Sequence, residues 1–153
     1  MYGYQSQESY TPIDFDYDLT PDLPLISINP QEIGRVIINL VVNACYALHE
    51  KAQKTETPFS PKIRIKTLMM DKSLTIIILD NGPGISQENL SKIFQPFFTT
   101  KPTGKGNTVL GLSISYDIVV QGHQGRLSAK SELGVFTEFQ IVLPVVGFIF
   151  IDF

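Results

Sequence analysis

The chain has 153 residues, 43% of them hydrophobic and 18% charged, with a formal charge of −3. That length suits one domain able to bury about 70% of its unfolded surface, and the composition excludes wholesale disorder. The acidic balance argues against a nucleic-acid binder, which needs a basic face, and the single Cys45, unable to pair within the chain, suits a reducing compartment.

Residues 1–12 are polar, tyrosine-rich and aperiodic; they predict a flexible lead-in and lack the basic and apolar regions of a signal peptide. Ile13 to Leu19 alternates apolar and acidic residues, the pattern of a half-buried strand. Pro21 and Pro24 punctuate the chain, and Leu25 to Ile28 predicts a second short strand. Asn29, Pro30 and Glu32 mark a helix start: a capping amide, a proline at the first helical position, and an acidic residue placed as in a capping box. The helix reads to about Gln53, with Ile33, Val36, Ile37, Leu40, Val41, Ala44 and Leu48 as its apolar stripe.

Lys62–Lys66 and Ser73–Leu79 predict strands joined as a hairpin by Asp71 and Lys72. Ser86 opens a short helix to Ile93, and Phe94 to Leu110 shows no periodicity. Gly111 to Gln121 predicts a helix, followed by strands at Arg126–Ser131 and Phe136–Leu143. This order predicts an α+β fold, a two-layer sandwich of a mixed sheet with helices on one face, over residues 13–144. Residues 145–153 form an apolar tail, and the charge-free run it belongs to, Leu143 to Ile151, is far shorter than the roughly 20 residues that span a bilayer. The expected molecule is cytoplasmic, with no nucleic-acid partner and no direct membrane insertion.

Three clusters carry chemistry. Asn39 and Asn43 stand four apart on one helical face, each flanked by apolar residues. Amides inside a strong apolar helix cost helix stability, and their oxygens suit a hard cation such as Mg²⁺; a solvated polar face is the plainer alternative. Asp80 ends an apolar strand and is followed by Asn81-Gly82-Pro83-Gly84. The run suits a simple turn, but a buried carboxylate also needs a donor, such as an exocyclic amino group. Gly104, Gly106 and Gly111 precede a helix, where exposed N–H groups can meet phosphate; a surface loop would have the same composition.

Taken together, these runs resemble the ATP-binding catalytic domain of two-component sensor histidine kinases, in the Bergerat-fold superfamily shared with gyrase and the MutL repair proteins. Asn39 to Ala44 resembles the N box, Asp80 to Gly84 the G1 box and Phe94 to Phe98 the F box. Gly104 to Leu112 resembles the G2 box or ATP lid, and Gly134 to Phe139 the last Gly/Thr box. The runs around Asn43 and Phe97 are similar to those of cyanobacterial-type multisensor kinases.

The resemblance implies ATP and Mg²⁺ as cofactors, with Asn43 as the metal ligand and Asn39 beside it, the two forming the catalytic pair. It implies that Asp80 receives the adenine amino group in a pocket shaped by Gly82, Gly84 and Ile85, with Tyr46 and Thr137 also at the nucleotide. Lys101, Lys105, Gly106, Gly111 and Leu112 would belong to the phosphate-covering lid. The implied partners are a phosphoacceptor histidine domain and, indirectly, a response regulator. In gyrase-like ATPases a Glu occupies the position of Asn39 and activates water. An amide cannot accept that proton, so Asn39 points to phosphoryl transfer rather than hydrolysis.

Three features depart from the family pattern, the mildest being Phe136 where many of these kinases have glycine. His49 and His123 are the only histidines, and His49 falls at the end of the N-box helix, so neither is read as the phosphoacceptor. Gly106 to Leu112 has one residue more than the usual lid motif, with Val109 in a glycine's place. A β-branched residue tolerates positive φ poorly. The alternative function is therefore a nucleotide-binding regulatory or scaffold module that does not transfer phosphate.

Overall fold

The computed structural model describes residues 11–96, 98 and 111–145. Alternating apolar residues build its strands: β1 (Asp14–Asp18), β2 (Lys62–Met70), β3 (Ser73–Asp80), β4 (Arg126–Glu132) and β5 (Phe136–Pro144). They form one sheet in the order β1-β2-β3-β5-β4. β1 runs parallel to β2 and the other neighbours are antiparallel, so the sheet is mixed as expected.

Every second residue of β3 and β5 is buried: Leu74, Ile76, Ile78 and Asp80, and Thr137, Phe139, Ile141 and Leu143. Against that face lies α1 (Pro30–Lys54), which buries Ile33, Val36, Leu40, Ala44 and Leu48. These residues share one core with Ile63, Leu127 and Val119. Two short helices complete the described part, α2 (Gln87–Leu90) and α3 (Gly111–Asp117). Past Asp117, α3 widens into a π-helical turn, Ile118–Gly122, where a helix to Gln121 is predicted.

α1 starts as its sequence dictates. The Asn29 side chain accepts from the Gln31 and Glu32 N–H groups, with Pro30 in the first helical position. The capping box is not completed, because the Asn29 N–H donates to His123 Nε2 at 3.0 Å. The other ring nitrogen, Nδ1, lies 2.8 Å from the Ile118 carbonyl. His123 thus ties the first turn of α1 to the π-helical turn.

Two strand expectations fail. Leu25 to Ile28 is irregular rather than extended in a sheet. Leu25 is fully exposed while Ile26 and Ile28 pack against the core, and β1 already occupies the free edge of β2. β1 does form, but it is exposed throughout rather than half-buried. As an edge strand it leaves Phe15 and Tyr17 stacked on each other, ring centroids 6.3 Å apart. Arg64 Nε pairs with Asp16 Oδ2 at 2.8 Å across the β1–β2 edge, a solvated contact worth at most about 1 kcal/mol. The predicted hairpin between β2 and β3 forms through Asp71, which takes φ 54°.

Candidate functional site

Asp80 is the last residue of the central strand and is only 3% exposed. Its flanking partners in the sheet are Ile63 on β2 and Thr137 on β5. Burial, which disfavours the charged carboxylate, pushes its pKa up to about 6; the Gly82 N–H and the Lys51 ammonium pull the other way. The Gly82 N–H donates to Asp80 Oδ1 at 2.9 Å. A Cβ at Gly82 would meet that same oxygen at 2.7 Å and the Ala47 methyl at 3.5 Å. The turn after β3 therefore folds back over its own carboxylate and rests on α1.

Gly84 has φ +73°, and a Cβ there would stand 2.3 Å from the Glu132 carbonyl oxygen. Only glycine lets this turn reach the β4–β5 hairpin so closely. The contact is reinforced by the Gly134 N–H to Pro83 carbonyl bond and by the Ile85 N–H donated to Ser131 Oγ at 2.7 Å. Ser131 Oγ also lies 3.1 Å from Thr137 Oγ1. Asp80, Gly82, Gly84, Ile85 and Thr137 thus come together at one end of the sheet.

The second group lies along α1. Asn39, Asn43 and Tyr46 are all half-buried, with Asn43 one helical turn before Ala47. Asn39 Nδ2 donates to the buried Ser115 Oγ at 3.3 Å, and that hydroxyl donates to the Gly111 carbonyl at 2.8 Å. The amide face of α1 is therefore fixed against the start of α3, where Gly111 is buried and Leu112 packs on the core. Phe94 of the F box packs between Tyr116 and Phe139, with centroids at 5.5 and 6.3 Å. Lys101, Lys105, Gly106, Val109 and Phe97 lie outside the described residues, as do residues 1–10 of the lead-in and the tail beyond Val145.

His49, half-buried on α1, has its Nδ1 2.7 Å from Thr11 Oγ1. A cavity of about 690 Å³ opens chiefly on the other face of the sheet, with Ile63, Asp80 and Asn81 also contributing to its lining. Asp16, Arg64, Leu79 and Glu138, which line it, form one cross-strand row next to the buried row of Ile63, Asp80 and Thr137. That row belongs to the sheet face turned away from α1.

Residue-by-residue reading of the sequence missed Lys51. Its Nζ donates to the carbonyls of Asn81 at 3.0 Å, Gly82 at 3.2 Å and Gly134 at 3.2 Å. The signal was the spacing Asn39-Asn43-Ala47-Lys51, a continuous i, i+4 row on the helix. Ser115 and Ser131 carried no such signal.

A buried carboxylate closing a central strand, facing an asparagine-bearing helix across a glycine turn, defines the two-layer Bergerat-type ATP-binding fold. The chain belongs to the histidine kinase-, DNA gyrase B- and HSP90-like ATPase family, whose model matches residues 28–147. Membership implies an ATP-binding domain. The chain is 34% identical over 140 residues to sporulation kinase E of Bacillus subtilis, covering 92% of this chain and 17% of that protein. It is 35% identical over 134 residues to the signal transduction histidine-protein kinase AtoS of Escherichia coli, covering 87% of this chain and 20% of that one. It therefore spans about a fifth or less of these two relatives.

The catalytic domain of histidine kinase ThkA superposes with a TM-score of 0.71 at 32% identity, covering 87% of this chain and 79% of that one. The mycobacterial sensor histidine kinase MprB gives 0.68 at 26% identity, covering 86% and 81%.

Proposed function

We propose that this chain is the ATP·Mg-binding catalytic module of a histidine protein kinase, passing the γ-phosphoryl group to a histidine on a phosphoacceptor domain outside residues 13–144. The observation that carries this reading is Asn39. Its amide occupies the place where hydrolytic members carry a glutamate; it is held by Ser115 and, as an amide, cannot itself deprotonate water. The likeness to sporulation kinase E and to the histidine-protein kinase AtoS supports the same reaction class.

Each residue has a distinct task in this reading. Asp80 accepts the adenine amino group, and Gly82, Gly84, Ile85 and Thr137 shape the pocket around the ring. Asn43 presents a neutral amide oxygen, which suits Mg²⁺ where waters and substrate phosphates complete the shell. The single neutral amide donor fits an ion that arrives with its nucleotide and keeps waters and phosphate oxygens as its other ligands. When bound, Mg²⁺ would neutralise charge on the phosphates. Lys101, Lys105, Gly106, Gly111 and Leu112 would cover those phosphates.

The phosphoacceptor domain would receive the phosphoryl group and a response regulator would act after it; ThkA has been crystallised in complex with the response regulator TrrA. Among the described residues no helix is long and apolar enough to cross a membrane, which is compatible with the cytoplasmic site that ATP requires. A second reading, a regulatory nucleotide-binding module without transfer, is favoured by the extra lid residue and Val109.

Incubation with γ-labelled ATP and an isolated phosphoacceptor domain tests the proposal. Label should appear on the acceptor histidine and little should be released as phosphate when the acceptor is omitted. Phosphate release without acceptor would establish hydrolysis instead, and nucleotide binding with neither product would establish the regulatory reading.

A further inference from the structure

We propose that Lys51 is a positioning residue for the adenine pocket, clasping the turn after β3 to the β4–β5 hairpin and setting the charge environment of Asp80. The proposal rests on the reading of Asp80 as the adenine acceptor and adds to it a residue that the motifs do not include.

A lysine in the last turn of a helix is ordinarily explained by the helix dipole, or by capping of its own last carbonyls. The Lys51 ammonium does more than this. An ammonium has three N–H donors, and here they match three carbonyls from outside the helix: Asn81 and Gly82 of the turn, and Gly134 of the hairpin. The Nζ also sits 4.6 Å from the centre of the Phe59 ring, a favourable cation–π distance. One side chain therefore joins four segments: α1, the loop that follows it, the turn after β3 and the β4–β5 hairpin.

This geometry bears directly on the nucleotide acceptor. Gly82 offers its N–H to Asp80 Oδ1 and its carbonyl to Lys51, so the same peptide segment is held from both sides. The attraction of the ammonium favours the ionised carboxylate, against the burial that disfavours it. Cys45, also on α1, is the other titratable group that feels Asp80; burial and the Asp80 charge push its thiol up. The partners on β2 and β5, Ile63 and Thr137, do not titrate in the working range. Asp14, Asp16, Lys62, Arg64 and Glu138 line, together with Asp80, the cavity that opens on the opposite face of the sheet.

The test compares wild type, Lys51→Met and Lys51→Arg in two measurements between pH 5 and 8: the ¹³C carboxyl titration of Asp80 in the free protein, and Mg-free ADP affinity. Lys51→Met should raise the Asp80 midpoint by about one unit. From a midpoint of about 6, that shift lowers the ionised fraction at pH 6.5 about threefold and weakens ADP in proportion. Lys51→Arg should restore most of the wild-type midpoint, because it keeps the charge. If Lys51→Met does not fold, Lys51→Gln, which keeps a donor but loses the charge, supplies the same comparison.

An Asp80 midpoint unchanged in the charge-removing variant would overturn the proposal, even if affinity fell, because a merely structural prop would leave the titration alone. A wild type that binds ADP, with a variant of equal affinity at every pH, would also overturn it. A wild type that binds no adenine nucleotide at any pH would instead overturn the site reading itself, and the proposal with it.

Discussion

Asp80 and Thr137 stand opposite each other on adjacent antiparallel strands, and both are buried at the end of the sheet where the glycine turn begins. A carboxylate and a hydroxyl at the edge of an otherwise apolar row are costly unless they have work to do. Thr137 is met by Ser131 and Asp80 by the Gly82 N–H, which leaves acceptor capacity on the carboxylate for a ligand donor.

Asp80→Asn should have opposite effects on binding and stability. Replacing the acceptor-only carboxylate with an amide removes a charge-assisted bond worth about 1.5–3 kcal/mol, so ADP and ATP should both bind about tenfold or more weakly. Unchanged affinities in a calorimetric titration would sink the adenine assignment. The folded-state pKa of about 6 lies above the ordinary 3.8. The stability Asp80 contributes is thus complete below about 3.8 and is lost as pH rises through about 6. The amide variant should resist urea better than wild type at pH 7.5, by on the order of 3 kcal/mol, and should show no advantage at pH 3.5.

Asn43→Ala should act through the metal. The Mg²⁺-dependent part of ATP affinity should fall and phosphoryl transfer should be lost, while Mg-free ADP binding stays within about twofold. Equal losses with and without Mg²⁺ would make Asn43 a structural residue.

Gly84→Ala tests the turn itself. The left-handed φ alone costs about 1–2 kcal/mol for a side-chain residue, and the added methyl must also push away the Glu132 carbonyl. Thermal unfolding should shift down by at least roughly 2–8 °C. A melt within a degree of wild type would mean that the turn is not held as closely as described.

Much of this was legible in the chain. The near-continuous apolar run from Leu74 to Leu79 announces β3 as a central strand, and the stripe from Ile33 to Leu48 announces α1, because a single buried helical face imposes a fixed period. Asp80 and the Asn39–Asn43 pair stand out as polar residues set into those apolar patterns. Leu25 to Ile28 misled because strand propensity cannot reveal whether an edge is free, and β1 had already taken it. Tyr17, 61% exposed, misled because alternation does not say whether a helix covers the strand. The contacts of Lys51, Ser131 and His123 join residues 30 to 94 positions apart, or form within a turn, through backbone atoms that carry no sequence signature.

The lid gives a prediction from sequence alone. Deleting Asn107 together with Val109→Gly restores the usual loop length and a glycine free to adopt positive φ. If lid N–H groups hold the phosphates, ATP affinity and single-turnover transfer should rise while ADP affinity moves much less. No gain in either quantity would mean that the native lid is not limiting, and would remove the main support for the regulatory reading.

The position of β3 within the order β1-β2-β3-β5-β4 governs how the domain breathes. Two strands stand on either side of it, so its amides open to deuterium only when a large cooperative unit unfolds. Exchange should therefore be slowest along Ile76 to Ile78 and fastest along β1, which has a single neighbour. On the proposed reading of Asp80, the floor of the adenine pocket belongs to the last part of the domain to melt, and nucleotide should stay seated while the edges fray.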